Sequence, residues 1–151
     1  MAGNNFRLTD LQAAVCVPQL AGYRAQVAAR QRNAQALNEG LAGISGLVTP
    51  TALPRRHHVW HQYTLLLDNA VDRESFMASI TADGIGCGIY YPRVAFDYDC
   101  YRNDPRVIAD GVPVARSVAQ RCVSLPVHPH LTDGEVERIV LAVQNAMRAA
   151  A

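Results

Sequence analysis

The chain has 151 residues, of which 50% are hydrophobic, and its formal net charge at pH 7 is +1. This length and composition suffice to bury the core of one domain, so a disordered chain is not expected. The near-neutral charge, without an extended basic cluster, argues against a nucleic-acid binder, and no apolar run approaches the roughly 18 residues of a membrane span. The N-terminus also lacks the charged-then-apolar order of a signal peptide, so we expect a cytoplasmic protein.

A phosphate-binding corner is predicted at the beginning of the chain. Thr9, followed three residues later by Gln12, has the form of a capping box, so a helix should begin at Thr9. Asn5 and Arg7 stand just before this helix. Unpaired backbone N–H groups and the positive end of the helix dipole favour an anion there, phosphate above all. Taken alone, the two residues would also suit a plain helix entry.

The first 45 residues are predicted to form a kinked helical arm. Pro18 has no N–H to donate and should kink or restart the first helix, so that a second helical segment runs over residues 18–39. One apolar stripe follows this segment at helical spacing: Leu20, Val27, Ala34 and Leu37. Without another domain to pack on, the stripe should be partly uncovered, and we expect dimers or aggregates.

Residues 46–151 are predicted to form a small α/β domain. Its first strand should span residues 59–67, which are rich in β-branched, aromatic and apolar side chains, and should be central. Asp72 can cap a helix over residues 73–83, and Gly84 suits the left-handed position after the end of that helix.

A second strand is predicted over residues 85–91, where apolar side chains alternate with smaller ones. Gly86 and Gly88 leave one face of this strand bare, which indicates close packing or a nearby substrate. Residues 91–110 then form an irregular segment with a polar and aromatic surface, and loops of this length usually have a function.

The last elements are a helix over residues 113–121, a third strand over residues 122–125 and a long C-terminal helix. Thr132 and Glu135 repeat the capping-box pattern at the start of that helix. The order of elements predicts an α/β (α+β) fold, in which a short sheet carries helices on one face and follows the helical arm.

Four segments together resemble a known protein family. They read GNNFRLTDLQAA at residues 3–14, HVWHQY at 58–63, GIGCGIYYP at 84–92 and SLPVHP at 124–129. In this order they are similar to signatures of the DegT/DnrJ/EryC1/StrS sugar aminotransferases, which use pyridoxal phosphate on nucleotide-linked keto-sugars. The resemblance implies the small C-terminal domain of a fold-type I transferase. The large cofactor-binding domain would precede residue 3, so the chain is expected to be a fragment.

The resemblance implies a cofactor-binding role for the residues before the first helix. Asn5 would reach the phosphate of pyridoxal phosphate across a dimer interface, and Arg7 would support that corner. All fourteen lysine and arginine residues of the chain are arginine. Because these enzymes hold their cofactor as a Schiff base on a lysine amine, this chain alone should not bind the cofactor covalently and should be inactive.

The resemblance also implies that Tyr90, Tyr91 and Arg93 bind the substrate. Many members of the family read His-Tyr-Pro-x-Pro-x-His where the sugar nucleotide is approached, whereas this chain has Tyr90 and Phe96 in place of the histidines and Val94 in place of the second proline. Because these residues differ from the family pattern, the identity of the sugar is not predicted. Arg93 suits a diphosphate because its planar guanidinium is a forked donor, although a plain surface arginine is an equal alternative.

The sequence therefore predicts the C-terminal part of a pyridoxal-phosphate-dependent aminotransferase for nucleotide-linked keto-sugars. Two alternatives stay open: a part of a related sugar dehydratase, which keeps its cofactor as the free amine, or a truncated dimerisation module without catalysis. The expected partners are a second copy or a large domain, together with a nucleotide sugar. No catalytic residue is assigned. No metal site is predicted either, because His57, His58 and His61 lack a carboxylate or thiol to complete a ligand set.

Overall fold

The computed structural model describes residues 8–109 and 111–149, which form helices around a small antiparallel sheet. The helices are α1 (Asp10–Gly40), α2 (Arg73–Ala82), a 3₁₀ turn (Ala95–Asp97), α3 (Asp99–Arg102), α4 (Pro113–Arg121) and α5 (Asp133–Ala149). The strands are β1 (Leu47–Val48), β2 (Tyr63–Leu67) and β3 (Cys122–Leu125). The fold class predicted from the sequence, a mixed small sheet with packed helices, is confirmed.

The sheet has the order β1-β2-β3, and both pairs are antiparallel. The predicted first strand is indeed central, but it begins at Tyr63 and not at residue 59. Trp60 has a φ of 50°, and its N–H donates to Nδ1 of His58 at 2.9 Å. This local turn takes residues 59–62 out of an extended conformation, which propensity alone did not reveal.

The prediction of a strand over residues 85–91 was wrong. Gly88 makes a single antiparallel bridge to Ser124 of β3, in which the N–H of Gly88 donates to Ser124 O at 3.0 Å and the N–H of Ser124 donates to Gly88 O at 2.7 Å. Ile85 is buried in the core, but no ladder follows the bridge. Glycines supply no side-chain packing to hold a strand in register, so pairing ends after one residue.

Helix α1 begins as predicted and then continues past Pro18. The Thr9 hydroxyl accepts from the Gln12 N–H at 3.3 Å, and the Gln12 side chain accepts from the Thr9 N–H at 2.9 Å. The separate helix expected from residue 18 is wrong, because α1 is one element of 31 residues with Pro18 inside it. Proline removes one hydrogen bond of the ladder and its ring crowds the preceding turn, yet the helix continues on both sides of it.

The two halves of α1 differ in their environment. Ala34 and Leu37, near its C-terminal end, are buried in the core, whereas Leu20 and Leu11 in the first half are 68% and 77% exposed. The apolar stripe is therefore covered at one end and open at the other. The division of the chain at residue 45 stays a prediction, although the last turns of α1 pack with the domain that follows.

The core lies between β2, α2, α5 and the end of α1. Side chains of β2 alternate, so that Tyr63, Leu65 and Leu67 are buried against these helices. From α2 and α5 come Phe76 and Ile80, and Val136, Ile139, Val143 and Met147 respectively. The predictions of α2, α4, β3 and α5, of the Asp72 cap and of Gly84 at positive φ are confirmed. Within the described ranges, no helix is long and apolar enough to cross a membrane.

Candidate functional site

For the predicted phosphate corner, the structure describes only the residues that follow it, at the start of α1. Asn5 and Arg7 lie outside the described residues. Directly after them, the hydroxyl and N–H of Thr9 are both engaged with Gln12. The cap of α1 is thus satisfied by the chain itself, and a role for Asn5 and Arg7 in phosphate binding stays a prediction.

The three predicted substrate residues lie on one groove, which we call the aromatic groove. Tyr90, Tyr91 and Arg93 line one side of this concavity of about 540 Å³. Its other side is formed by α4, with Val118 and Ala115. Tyr91 is 76% exposed, so its ring is available to a ligand. The structure therefore brings together three residues that the sequence singled out.

An ion pair joins the segment after Arg93 to α4. Nη2 of Arg116 donates to Oδ1 of Asp97 at 3.2 Å, and Nη1 donates to Oδ2 of the same carboxylate. The hydrogen bond and the negative charge of Asp97 raise the pKa of the Arg116 guanidinium. The guanidinium carbon also lies 5.8 Å from the centre of the Phe96 ring. This bidentate pair ties the 3₁₀ turn to α4 and so sets the width of the aromatic groove.

The floor of the aromatic groove is the second face of the sheet. Thr64 and Cys122, which line the groove, point away from the core because β2 and β3 alternate. The hydroxyl groups of Thr64 and Ser124 are 2.8 Å apart and hydrogen-bonded across the strands. This cross-strand hydroxyl pair makes the floor of the groove polar at Thr64.

A second concavity of about 570 Å³, which we call the cationic cavity, lies on the other side of Tyr90. Arg30, His61 and His128 are among its lining residues, with Gly86 and Gly88. The sequence did not predict this cavity, because its walls come from α1, from the turn before β2 and from the loop after β3. The bare face at Gly86 and Gly88, which indicated close packing or a nearby substrate, and the histidines of the HVWHQY and SLPVHP segments were the signals in the sequence that pointed toward it.

The residues that line the cationic cavity carry no carboxylate. Among residues 8–109 and 111–149, the ion pairs are those of Arg102, Arg106 and Arg116, so Arg30 has no acidic partner within 4.0 Å. In the same part of the chain, no group of three or more His, Cys, Asp or Glu side chains is placed to hold a metal ion. The lining of the cavity thus combines the cationic guanidinium of Arg30 with uncharged or basic groups and has no acidic group.

Comparison with known sequences relates the chain to aminotransferases. A family model described as the DegT/DnrJ/EryC1/StrS aminotransferase family matches residues 1–144. A UDP-2-acetamido-2-deoxy-3-oxo-D-glucuronate aminotransferase from Pseudomonas aeruginosa is 33% identical over 95% of this chain and 38% of its own length. A UDP-N-acetyl-3-dehydro-alpha-D-glucosamine 3-aminotransferase from Acidithiobacillus ferrooxidans is 32% identical over 96% of this chain and 37% of its own length.

Comparison with solved structures gives the same fold. DesV from S. venezuelae, solved in complex with a ketimine intermediate, is 30% identical with a TM-score of 0.85, and the match covers 97% of this chain and 38% of that one. A DegT DnrJ EryC1 StrS aminotransferase from Brucella abortus is 30% identical with a TM-score of 0.80, covering 95% and 37% of the two chains. The chain thus spans less than two fifths of the length of these relatives.

Proposed function

We propose that this chain, which belongs to the DegT/DnrJ/EryC1/StrS aminotransferase family, supplies the C-terminal part of an enzyme that transfers an amino group to a nucleotide-linked keto-sugar. The observation that carries the proposal is the family match over residues 1–144, together with relatives whose names specify aminotransfer to UDP-linked 3-oxo or 3-dehydro sugars. The name of the Pseudomonas relative specifies a sugar that carries a carboxylate, and the name of the Acidithiobacillus relative specifies a sugar without one. The proposal covers both classes of sugar.

Pyridoxal phosphate is the cofactor that this function implies, and when bound it acts as an electron sink for amino transfer. The residues present fit its phosphate in chemical type, because Asn5 offers an amide donor and Arg7 a charged fork immediately before the capped start of α1. The chain contains no lysine, so the amine for the Schiff base must come from elsewhere in the complete enzyme. We place Asn5 at the cofactor of a second subunit, in a cytoplasmic homodimer.

The aromatic groove is proposed to hold the sugar nucleotide. Tyr90 and Tyr91 present rings on which a base or a sugar face can pack, and stacking of this kind tolerates different ligands. Arg93 stands on the same rim with a guanidinium suited to a diphosphate. Because no imidazole is present at residues 90 and 96, contacts to the sugar here depend on phenol and aromatic groups.

A hybrid enzyme tests the proposed function. The 38% of the Pseudomonas aminotransferase that matches this chain is replaced by it, and cofactor-dependent amino transfer to the nucleotide sugar of that enzyme is measured. We expect turnover by the hybrid and none by the chain alone, because the chain has no lysine. A folded hybrid that retains cofactor and yet fails to aminate any nucleotide-linked keto-sugar would refute the proposal.

Single variants of the hybrid test the residue roles. Asn5→Ala should weaken retention of the cofactor by about 1.5–3 kcal/mol, the usual value of a hydrogen bond to a charged group. Arg93→Gln should raise KM for the nucleotide sugar and leave KM for the amino donor unchanged. Arg106→Gln is the matched control, since Arg106 lies in the same irregular segment but is paired with Asp104 at 2.6 Å. Equal effects of Arg93→Gln and Arg106→Gln would count against the groove assignment.

A further inference from the structure

The cationic cavity is built by contacts that hold its basic groups in place. Nη1 of Arg30 donates to the carbonyl oxygens of Trp60 and His61, at 3.1 and 3.4 Å. One turn further along α1, Nδ2 of the buried Asn33 donates to the carbonyl oxygen of His128 at 2.9 Å. Helix α1 therefore fixes both walls of the cavity, the turn that carries His61 and the loop that carries His128.

The guanidinium of Arg30 keeps a free edge after making these contacts. Within the described residues, its hydrogen bonds involve Nη1 alone, so Nε and Nη2 are available to a ligand. The edge formed by these two nitrogens matches the two oxygens of a carboxylate in a bidentate pair. His61 and His128 are exposed at the same cavity and can each donate a further hydrogen bond through an imidazole N–H.

The carboxylate near His128 is held outside the lining of the cavity. Glu135 is the carboxylate whose pKa is affected by the charge of His128, and its Oε2 accepts from both the N–H and the hydroxyl of Thr132, at 2.8 Å each. Those bonds hold Glu135 at the start of α5, and it does not line the cavity. The lining instead includes the apolar residues Leu125 and Val127, against which a short carbon chain can pack.

We propose that the cationic cavity binds a carboxylate group of a substrate, with Arg30 as its bidentate partner and His61 and His128 as additional donors. The choice of a substrate carboxylate rests on the proposed function, since amino transfer needs an amino acid whose carboxylate must be held. The same chemistry is offered by a sugar that is a uronic acid. Tyr90 lines both concavities, so a ligand in the aromatic groove and a carboxylate in the cavity would be neighbours.

Titration of the complete 151-residue chain, followed by ¹H–¹⁵N NMR at constant ionic strength, tests the proposal. The probes are L-glutamate, D-glucuronate and inorganic phosphate. We expect at least one carboxylate to shift the amide signals of His61, Gly86 and Gly88 in a saturable way. Saturation by glutamate alone assigns the cavity to the amino donor, and saturation by glucuronate alone assigns it to a uronic-acid sugar. Tighter binding of phosphate, or no saturable shift with either carboxylate, would overturn the proposal.

Variants separate the cavity from general charge effects. Arg30→Gln and His128→Gln should each weaken carboxylate binding at least tenfold. Arg32→Gln removes the same charge from the same helix but lines a different concavity, and should leave the dissociation constant unchanged. If Arg30→Gln fails to fold because the anchors to Trp60 and His61 are lost, His128→Gln decides, since its backbone carbonyl still accepts from Asn33. Equal weakening by Arg32→Gln would refute the proposal.

The result of the carboxylate titration does not depend on the result of the hybrid-enzyme assay. Carboxylate binding by the isolated chain requires neither cofactor nor turnover, so it can be measured even if the hybrid enzyme is inactive. Conversely, an active hybrid whose KM for the amino donor and the sugar are both unchanged by His128→Gln would reject the cavity and leave the proposed function intact.

Discussion

The packing of α1 on α5 can be tested at Gly40, the last residue of α1. A Cβ added to Gly40 would lie 2.7 Å from Cγ2 and 2.8 Å from Cγ1 of Val140 on α5, whereas ordinary contacts begin at 3.4 Å. The valine cannot move aside easily, because its branched side chain has one strongly preferred rotamer in a helix. We therefore expect Gly40→Ala to push the two helices apart.

The expected magnitude combines two opposing effects. Overpacking of this kind typically costs about 1–3 kcal/mol. Replacing glycine by alanine within a helix raises the free energy of unfolding by at most about 1 kcal/mol, and by less at the final residue of the helix. The free energy of unfolding should thus fall by about 1 kcal/mol. For a chain of this size, that corresponds to a decrease in Tm of about 2–4 °C.

A double-mutant cycle measured by urea unfolding and circular dichroism identifies the cause. Val140→Ala removes the two methyl groups that the new Cβ would meet. In that background, Gly40→Ala should become neutral or stabilising, with a coupling energy of about 0.5–3 kcal/mol. The same loss of stability in both backgrounds, or stabilisation by Gly40→Ala in the original chain, would refute the packing argument.

Three further changes have outcomes that follow from single contacts. Tyr63→Phe should lower the free energy of unfolding by about 1 kcal/mol in urea titration, because the fully buried phenol, whose pKa is raised by burial, donates to Oδ1 of Asn38 at 2.7 Å; an unchanged midpoint would contradict this. Hydrogen bonds from the backbone and hydroxyl of Thr132 lower the pKa of Glu135 in the folded chain. The ionised Glu135 therefore stabilises the fold at pH values above its ordinary pKa of 4.5, and this stabilisation is lost as the pH falls through the lower folded-state pKa. Glu135→Gln should remove that part of the acid dependence of stability, and an identical pH profile would refute it. Leu20→Glu should reduce self-association measured by sedimentation, since Leu20 is 68% exposed on α1, whereas a concentration-independent monomer in the original chain would refute the expectation.

Features that depend on a few neighbouring residues could be predicted from the sequence. The capping boxes at Thr9 and Thr132 and the cap at Asp72 locate the starts of three helices, because each hydroxyl or carboxylate satisfies a backbone N–H only a few residues away. Gly84 likewise adopts the positive φ expected after α2. Tyr90 and Arg93, which the resemblance singles out, lie on the same concavity, and their role in substrate binding stays a prediction.

Features that depend on distant partners were decided by the tertiary structure. Residues 85–91 have the alternation of a strand but make only one bridge, because a ladder needs a partner with matching length and side-chain packing. Residues 47–48 do pair with β2, although they carry too little pattern to be recognised. Helix α1 also continues through Pro18, where the missing N–H by itself favours a break.

The cationic cavity marks the limit of sequence reasoning most clearly. Arg30, His61 and His128 are far apart in the chain and have no common spacing, so their types alone predict nothing about a shared site. They converge because Arg30 and Asn33, one turn apart on α1, hold the backbone carbonyls of two separate loops. The sequence by itself determined where the capped helices begin and which family the chain resembles. Only the tertiary structure decided that Arg30, His61 and His128 share a cavity, because that depends on contacts such as the hydrogen bond between Asn33 and His128, which are 95 positions apart.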